Sequence, residues 1–169
     1  MQGSAARVIM LMGVAGSGKS TIGGLLSERL GWPFRDADSF HPRANVEKMK
    51  SGTPLTDEDR RPWLEAIAAY MDERLGQGQS AIVSCSALRR AYREVLTRGR
   101  PGVMLVHLAG SKELIGSRLS ARRGHFMPPA LLDSQFATLE APAPEEGVLT
   151  MAVDEPPERI AERIVAALA

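Results

Sequence analysis

The sequence predicts an α/β fold in which a parallel β-sheet is covered by helices on both faces. Short apolar segments, typical of buried strands, alternate along the chain with segments whose apolar residues recur at helical spacing. In addition, the segment Gly13–Ser20, GVAGSGKS, fits the phosphate-binding spacing Gly-x-x-x-x-Gly-Lys-Ser/Thr and lies between the first strand and the first helix. We therefore expect one α/β domain over residues 1–169.

The predicted elements alternate in a regular order. Five apolar segments are predicted strands, at residues 8–12, 33–36, 81–85, 103–108 and 148–153. Seven segments of helical period are predicted helices, at residues 21–30, 43–50, 57–76, 89–96, 111–119, 128–139 and 156–168. Thr56 and Asp59 form a capping-box pattern before the third helix, and Ser111 is a predicted N-cap. Residues 141–147, APAPEEG, are predicted to be only a loop.

Composition argues against several classes of protein. The net charge of +1 disfavours a nucleic-acid-binding face, and no apolar run approaches the roughly 18 residues of a membrane span. The first residues, MQGSAA, lack the charged and apolar regions of a signal peptide, and the single cysteine, Cys85, cannot form an internal disulfide. We expect a cytoplasmic protein with neither a membrane nor a nucleic-acid partner, in which Cys85 is a buried thiol.

The glycine-rich segment is predicted to bind the phosphates of a nucleoside triphosphate. Its glycines let successive backbone N–H groups turn towards one point at a helix N-terminus, which favours an anion. Lys19 then reaches the outer phosphates, and the Ser20 hydroxyl is a ligand for Mg²⁺. The predicted nucleotide-binding residues are Gly13, Val14, Ala15, Gly16, Ser17, Gly18, Lys19, Ser20 and Thr21.

Two carboxylates follow the second predicted strand, in the segment DADSFHP. Ligands of parallel sheets bind beyond the carboxyl ends of the strands, so Asp36 and Asp38 are expected near the phosphate loop. One of them can hold the Mg²⁺ shell, and the other can orient or deprotonate a substrate hydroxyl. His41 belongs to the same segment, where it either contacts the substrate or packs in a turn.

Several arginines are predicted to meet anions. Arg118 and Arg122 lie near the end of a predicted helix, where they can converge on triphosphate oxygens. They would do so from a mobile lid at about residues 118–128. A basic helix face exposed to solvent explains the same pattern. Arg60 lies in the first turn of a helix, where the helix dipole disfavours a cation, and Arg89 follows the third strand. Both positions are compatible with an anionic substrate.

The motifs together resemble the gluconokinase family. The segments that carry the resemblance are GVAGSGKS, DADSFHP, GTPLTDEDRRPWL at 52–64, CSALRRAYR at 85–93, GHFM at 124–127 and LDSQFATLE at 132–140. They are colinear with the family from about Val8 to Val153, and only the first is shared by all P-loop proteins. Ala37 stands where many relatives carry glycine, a change of little consequence.

The resemblance implies ATP-dependent phosphorylation of D-gluconate to 6-phosphogluconate, with Mg²⁺, and in many cases a homodimer. It also implies a shikimate-kinase-like P-loop fold with strand order 2-3-1-4-5. By similarity, Asp36 contacts Mg²⁺ through water and Asp38 is the candidate base for the acceptor hydroxyl. Arg60 and Arg89 are candidates for the gluconate carboxylate, whereas His125 and Gln135 carry the family's motif without an assigned step.

Three alternatives share some of these features. A shikimate kinase or a nucleoside monophosphate kinase has the same loop and a lid, although the FHP and CSALR segments resemble gluconokinase instead. A nucleotide-dependent switch would bind the triphosphate without a phosphoryl acceptor. Such a switch has no need of a second carboxylate beside the loop.

Overall fold

Parallel strands form the central sheet of the protein. The computed structural model describes residues 6–14, 16–53, 55–121 and 129–168, except for the side chains of residues 119–121 and 129–131. Within these residues the strands are β1 Val8–Met12, β2 Phe34–Asp36, β3 Ala81–Ser84, β4 Val103–Ala109 and β5 Leu149–Ala152. Their order is β2-β3-β1-β4-β5, and every neighbouring pair is parallel. The predicted strand order is confirmed.

Helices connect the strands, close to the predicted positions. They are α1 Lys19–Leu30, α2 Arg43–Lys50, α3 Asp57–Gly76, α4 Arg90–Thr97, α5 Lys112–Ala121, α6 Pro129–Thr138 and α7 Pro157–Ala167. α1 begins two residues before the predicted start, because Gly18 of the phosphate loop serves as its N-cap. A short 3₁₀ helix, Ala37–Phe40, follows β2.

Both faces of the sheet are buried, because neighbouring residues of β1 point to opposite sides. Ile9 and Leu11 pack in a cluster with Ile22 and Leu26 of α1 and with residues of α7. Val8, Met10 and Met12 pack in a second cluster with residues of α3 and α4. This two-sided core fixes β1, and the loop that follows it, in the middle of the sheet.

The predicted helix caps are present, and a residue of one of them also binds a neighbouring helix. The Thr56 side chain accepts a hydrogen bond from the backbone N–H of Asp59, whose carboxylate accepts one from the backbone N–H of Thr56. Lys48 of α2 donates to both carboxylate oxygens of Asp59 at 3.0 and 2.9 Å. At the start of α5, Ser111 Oγ accepts from the backbone N–H of Leu114 at 3.1 Å. The Lys48–Asp59 pair therefore attaches α2 to the first turn of α3.

The segment 141–147 is more than the loop that its proline and glycine content predicts. Pro144–Glu146 forms a 3₁₀ turn, and Glu146 forms an ion pair with the guanidinium of Arg93 at 2.8 Å. The Arg93 side chain is 1% exposed and that of Glu146 is 10% exposed. The prediction missed this contact because the partners lie 53 residues apart.

None of the helices within the described ranges combines the length and the hydropathy that a membrane span needs.

Candidate active site

The phosphate loop lies where β1 ends and α1 begins. The glycines Gly13, Gly16 and Gly18 have positive φ angles of 151°, 81° and 102°. Because the N-cap Gly18 has no side chain to accept a hydrogen bond, no cap side chain occupies the first backbone N–H groups of α1, which are then available to an anion.

Gly13 is required by close packing as well as by its backbone angle. A Cβ atom built at this position would lie 2.7 Å from Ser17 Oγ and 2.9 Å from the carbonyl oxygen of Leu108. A side chain here would push the loop away from the end of β4.

Lys19 is folded back over its own loop. Its Nζ donates to the carbonyl oxygens of Gly13 at 2.7 Å and Val14 at 3.0 Å. Burial lowers the pKa of the Lys19 ammonium to about 8, although Cys85 and the carboxylates of Asp36 and Asp38 favour its charged form. The ammonium is thus held at the loop in a poorly hydrated position, and phosphate oxygens would be better partners than carbonyls.

Asp36 and Asp38 differ in environment, although one residue separates them. Asp36 caps the 3₁₀ helix, because its Oδ1 accepts a hydrogen bond from the backbone N–H of Asp38 at 2.9 Å. Burial, and next the neighbouring charge of Asp36, raise the pKa of the Asp38 carboxyl, while His41 and Lys19 oppose this shift. The raised pKa makes the Asp38 carboxylate a better proton acceptor than an aspartate in water.

A cavity of about 350 Å³, here called the central cavity, joins the loop to these carboxylates. Lys19, Ser20, Asp36 and Asp38 line it, and Gln135 of α6 lines it as well. The structure thus places Gln135, to which the resemblance assigns no step, in the same cavity as the predicted base. Ser84 and Ser86 also line it, at the carboxyl end of β3, where the rule for parallel sheets places a ligand-binding segment; Trp63 is a lining residue that the sequence did not indicate. The indole N–H of Trp63 donates to the carbonyl oxygen of Ala37 at 2.8 Å.

His41 stacks on Trp63, which lines this cavity. The ring centroids are 4.4 Å apart and the planes differ by 8°. His41 Nδ1 lies 3.3 Å from Asn45 Nδ2. Burial lowers the pKa of the His41 imidazole, Asp38 opposes that shift, and Arg60 adds to it. The two open interpretations of His41 are thus compatible, since it packs in a turn and lies beside Asp38.

Arg60 and Arg89 meet at one carboxylate but do not line the central cavity. Arg60 Nη1 lies 3.8 Å from Asp57 Oδ1, and Arg89 Nη1 lies 4.0 Å from Asp57 Oδ2. The Tyr92 hydroxyl donates to Asp57 at 2.7 Å and accepts from Arg60 at 3.2 Å. Arg90, by contrast, pairs with Glu145 at 3.1 Å and Glu94 at 3.4 Å. The two arginines singled out in the sequence therefore form one group that already holds a carboxylate.

A second cavity of about 370 Å³, here called the flanking cavity, lies on the other side of the loop. Gly16, Gly18 and Thr21 line one wall, and Arg118 lines another. The remaining wall is the segment Asp154–Pro157 between β5 and α7. This segment carries no recognisable motif, and only the packing of α7 against α1 shows that it belongs to the site.

Arg93 fixes the segment that follows β3. Its guanidinium donates to the carbonyl oxygens of Ala87 at 2.9 Å, Leu88 at 3.2 Å and Glu140 at 2.9 Å. Ala87 has a φ of 45°, a left-handed conformation that is unfavourable for alanine and is held in place here by these contacts. Cys85 of the same segment is 2% exposed, which confirms the predicted buried thiol, and burial raises its pKa to about 12.

Three predicted site residues, Ala15, Arg122 and His125, lie outside the described residues. So does most of the predicted lid at 118–128.

Comparison with known proteins identifies the relatives of this chain. The chain matches the shikimate kinase family model over residues 15–169. It is 44% identical to a probable gluconokinase of Rattus norvegicus, over 95% of this chain and 97% of the relative. It is 43% identical to a gluconokinase of Gluconobacter oxydans, over 94% of this chain and 89% of the relative.

Solved structures agree with these relatives. The crystal structure of a gluconokinase from Sinorhizobium meliloti is 42% identical, with a TM-score of 0.83, covering 98% of this chain and 93% of that one. A shikimate kinase from Aquifex aeolicus is 20% identical, with a TM-score of 0.58 and 95% of each chain covered, and shares the fold alone. P-loop kinases of this kind use a nucleotide and a metal ion, and they act on small molecules. With its phosphate loop, its paired carboxylates and relatives that match it over nearly its full length, the chain belongs to the gluconokinase family.

Proposed function

We propose that the protein transfers the γ-phosphoryl group of ATP to the terminal hydroxyl of D-gluconate and so forms 6-phospho-D-gluconate. The observation that carries the proposal is the central cavity, in which Lys19 and Ser20 of the phosphate loop share one space with Asp38. Phosphoryl transfer requires this juxtaposition, because its catalysis consists mainly of positioning and charge stabilisation.

The nucleotide binds with its phosphates on the loop. Backbone N–H groups of Gly16, Gly18 and Lys19 face the β-phosphate, and Lys19 leaves the carbonyl oxygens of its own loop to reach the β- and γ-phosphates. The flanking cavity, between Thr21, Arg118 and the Asp154–Pro157 segment, accommodates the nucleoside.

The residues of the central cavity also fit Mg²⁺. The Ser20 hydroxyl and the Asp36 carboxylate line the same space, and oxygen atoms of this kind, completed by phosphates and water, are the usual ligands of this ion. When bound, Mg²⁺ neutralises charge on the transferring phosphoryl group.

Asp38 accepts the proton of the acceptor hydroxyl. Burial raises the pKa of the Asp38 carboxyl, which makes its carboxylate a stronger proton acceptor, and the nearby Lys19 ammonium opposes this shift. Gln135 lies on the same cavity wall and is within reach of a polyol bound there.

The group of Arg60, Arg89 and Tyr92 recognises the carboxylate of gluconate. It already surrounds one carboxylate, that of Asp57, with two guanidinium groups and a phenol. Asp57 is 68% exposed, so its side chain can move into solvent when a substrate carboxylate arrives. An acceptor with no charge would leave these arginines without a substrate partner and lose about 1–3 kcal/mol of binding.

An acceptor panel tests the proposal. ATP turnover is measured with gluconate, glucose, shikimate and AMP, and glucose is expected to have a kcat/KM at least about tenfold below that of gluconate. Arg60→Met and Arg89→Met are expected to reduce kcat/KM for gluconate by about ten- to a hundredfold and to leave that for glucose nearly unchanged. Arg90→Met is the matched control, because Arg90 pairs with Glu94 and Glu145 instead.

The panel also separates the alternatives. Equal turnover of glucose and gluconate would contradict recognition of a sugar acid, and preference for shikimate or AMP would identify one of the other kinases. ATP binding without turnover of any acceptor would favour a nucleotide-dependent switch.

We further propose that the chain is one kinase domain that works in the cytoplasm as a homodimer. Sedimentation equilibrium of the full chain tests the dimer, and a monomer at micromolar concentration would contradict it.

A further inference from the structure

Asn45 is a buried polar residue of α2 to which the scheme above gives no role. The residue is 4% exposed. The amide nitrogen Nδ2 makes two contacts: it donates to the carbonyl oxygen of Asp59 at 2.8 Å and lies 3.3 Å from His41 Nδ1. The amide thus connects the first turn of α3 to the ring beside the candidate base, and it can act on the orientation of that ring.

These contacts determine which ring nitrogen of His41 carries the proton. The carbonyl oxygen of Asp59 can only accept, so the nitrogen of the Asn45 amide must face it. The same nitrogen has a second hydrogen, which is directed to His41 Nδ1 and makes that atom an acceptor. A neutral imidazole with an acceptor at Nδ1 carries its proton on Nε2.

The partners of the Asn45–His41 pair are themselves held in place on both sides. Asp59 is anchored by the capping box with Thr56 and by the ion pair with Lys48 at 2.9 Å. The plane of the His41 ring is fixed by its stacking on Trp63. Trp63 is itself held by its hydrogen bond to Ala37. Stacking on Trp63 still allows the imidazole to rotate within its own plane, and the contact with Asn45 restricts that rotation.

We propose that Asn45 is a positioning residue that holds His41 as the neutral Nε2–H tautomer. The imidazole then presents a hydrogen-bond donor, on the ring edge away from Asn45, to an oxygen atom of the sugar acid bound beside Asp38. The identity of that ligand rests on the proposed function, whereas the tautomer is a property of the free protein.

The charges that act on His41 are consistent with a neutral donor. Asp38 favours the imidazolium form, but burial and Arg60 lower the pKa of the ring. A neutral N–H group binds a hydroxyl or carboxylate oxygen without adding a positive charge near Arg60. It also leaves the Asp38 carboxylate available as a base, since no imidazolium holds it in an ion pair.

The tautomer is measured on the ligand-free protein by nitrogen NMR of the imidazole rings. The chain has three histidines, so the signals of His41 are those that disappear in His41→Gln. At pH 7.5 we expect Nδ1 of His41 to have the chemical shift of an unprotonated nitrogen and Nε2 that of an N–H. The opposite assignment, or two protonated nitrogens, would overturn the proposal.

Kinetics test what the tautomer does. Asn45→Leu, of similar size and without a donor, is expected to raise KM for gluconate about tenfold, with kcat and the KM for ATP changed by about twofold at most. The matched control Lys48→Met removes the ion pair between α2 and Asp59 without a contact to His41. Its KM for gluconate should rise by no more than about twofold, because the capping box with Thr56 still holds Asp59. An equal rise in both variants would mean that the effect is a general displacement of α2, which would contradict the proposal.

Substitution of His41 itself provides a test that does not depend on the folding of Asn45 variants. The amide nitrogen of glutamine reaches the place of imidazole Nε2, whereas that of asparagine reaches only Nδ1. His41→Gln should therefore retain a gluconate KM about tenfold lower than that of His41→Asn. Similar values for the two variants would argue against a donor at Nε2. If the proposed function fails, the wild type itself leaves gluconate unphosphorylated, and the imidazole spectrum still decides the tautomer.

Discussion

Replacing Arg93 with methionine should destabilise the protein more than any loss of a surface ion pair, because this guanidinium is buried and every one of its nitrogens is used. It donates to Glu146 at 2.8 and 3.2 Å and to the carbonyl oxygens of Ala87, Leu88 and Glu140. Methionine fills a similar volume but leaves the carboxylate of Glu146, which is 10% exposed, without its cation.

The size of the effect follows from this burial. Removing one partner of a buried ion pair costs about 3–5 kcal/mol of unfolding free energy. Native proteins are stable by only about 5–15 kcal/mol, so Arg93→Met should lose a large fraction of the total. For a chain of this length, each kcal/mol lowers Tm by about 2–4 °C, and the expected decrease is therefore about 6–20 °C.

Urea unfolding followed by circular dichroism measures the loss. The matched control is Arg100→Met, since Arg100 also makes a two-point contact with a carboxylate, at 2.8 and 2.9 Å, but its partner Asp72 is 55% exposed. That variant should lose about 1 kcal/mol or less. The double variant Arg93→Met/Glu146→Leu should recover part of the stability, because no unpaired charge remains. Equal losses for Arg93→Met and Arg100→Met would refute this reasoning.

The remaining predictions concern the site. Lys19→Met should reduce kcat by about a hundredfold or more, because the lysine neutralises charge that develops in the transition state, while urea unfolding shows a folded protein; near-normal turnover would contradict the role of the loop. Asp38→Asn should bind ATP with unchanged affinity in calorimetry and lose phosphoryl transfer, whereas Asp36→Asn should raise the Mg²⁺ concentration needed for half-maximal rate; substantial turnover by Asp38→Asn would leave that residue only a positioning role. In the wild type, kcat/KM for ATP should decrease above about pH 8, by about tenfold per pH unit, as Lys19 loses its proton. The same deprotonation should raise the free energy of unfolding. The pKa of Lys19 is about 8 in the folded protein and 10.5 in the unfolded chain, so the cost of burying its charge is present below pH 8 and is relieved between pH 8 and 10.5. Lys19→Met should lack this rise in unfolding free energy, and an unchanged rise would mean that another group causes it.

The sequence predicted the fold well because the signals of the fold are local. Each strand is a short apolar run, each helix has its own period, and the phosphate loop joins β1 to α1 without an intervening residue. Asp36 and Asp38 were predicted near the loop from a topological rule alone, and the structure brings them into one cavity with Lys19.

The features that the sequence did not predict depend on residues far apart in the chain. Arg93 meets Glu146 across 53 residues, and nothing in a proline-rich segment indicates a buried carboxylate. The wall of the flanking cavity at Asp154–Pro157 has no chemical motif, and the joint approach of Arg60 and Arg89 to Asp57 appears only when α3 and the start of α4 are in place. Burial, too, is visible only in the fold, and it lowers the pKa of Lys19 and raises that of Asp38.

The position of phosphorylation tests the central claim most directly. The purified chain is incubated with ATP, Mg²⁺ and D-gluconate, and the product is analysed by phosphorus–proton correlation NMR. We expect a new phosphomonoester whose phosphorus correlates with the two protons of the terminal CH₂ group, and no such signal with Lys19→Met. Absence of that product with the folded wild type, or its formation at the same rate by Lys19→Met, would contradict the assignment of this cavity as the site of gluconate phosphorylation.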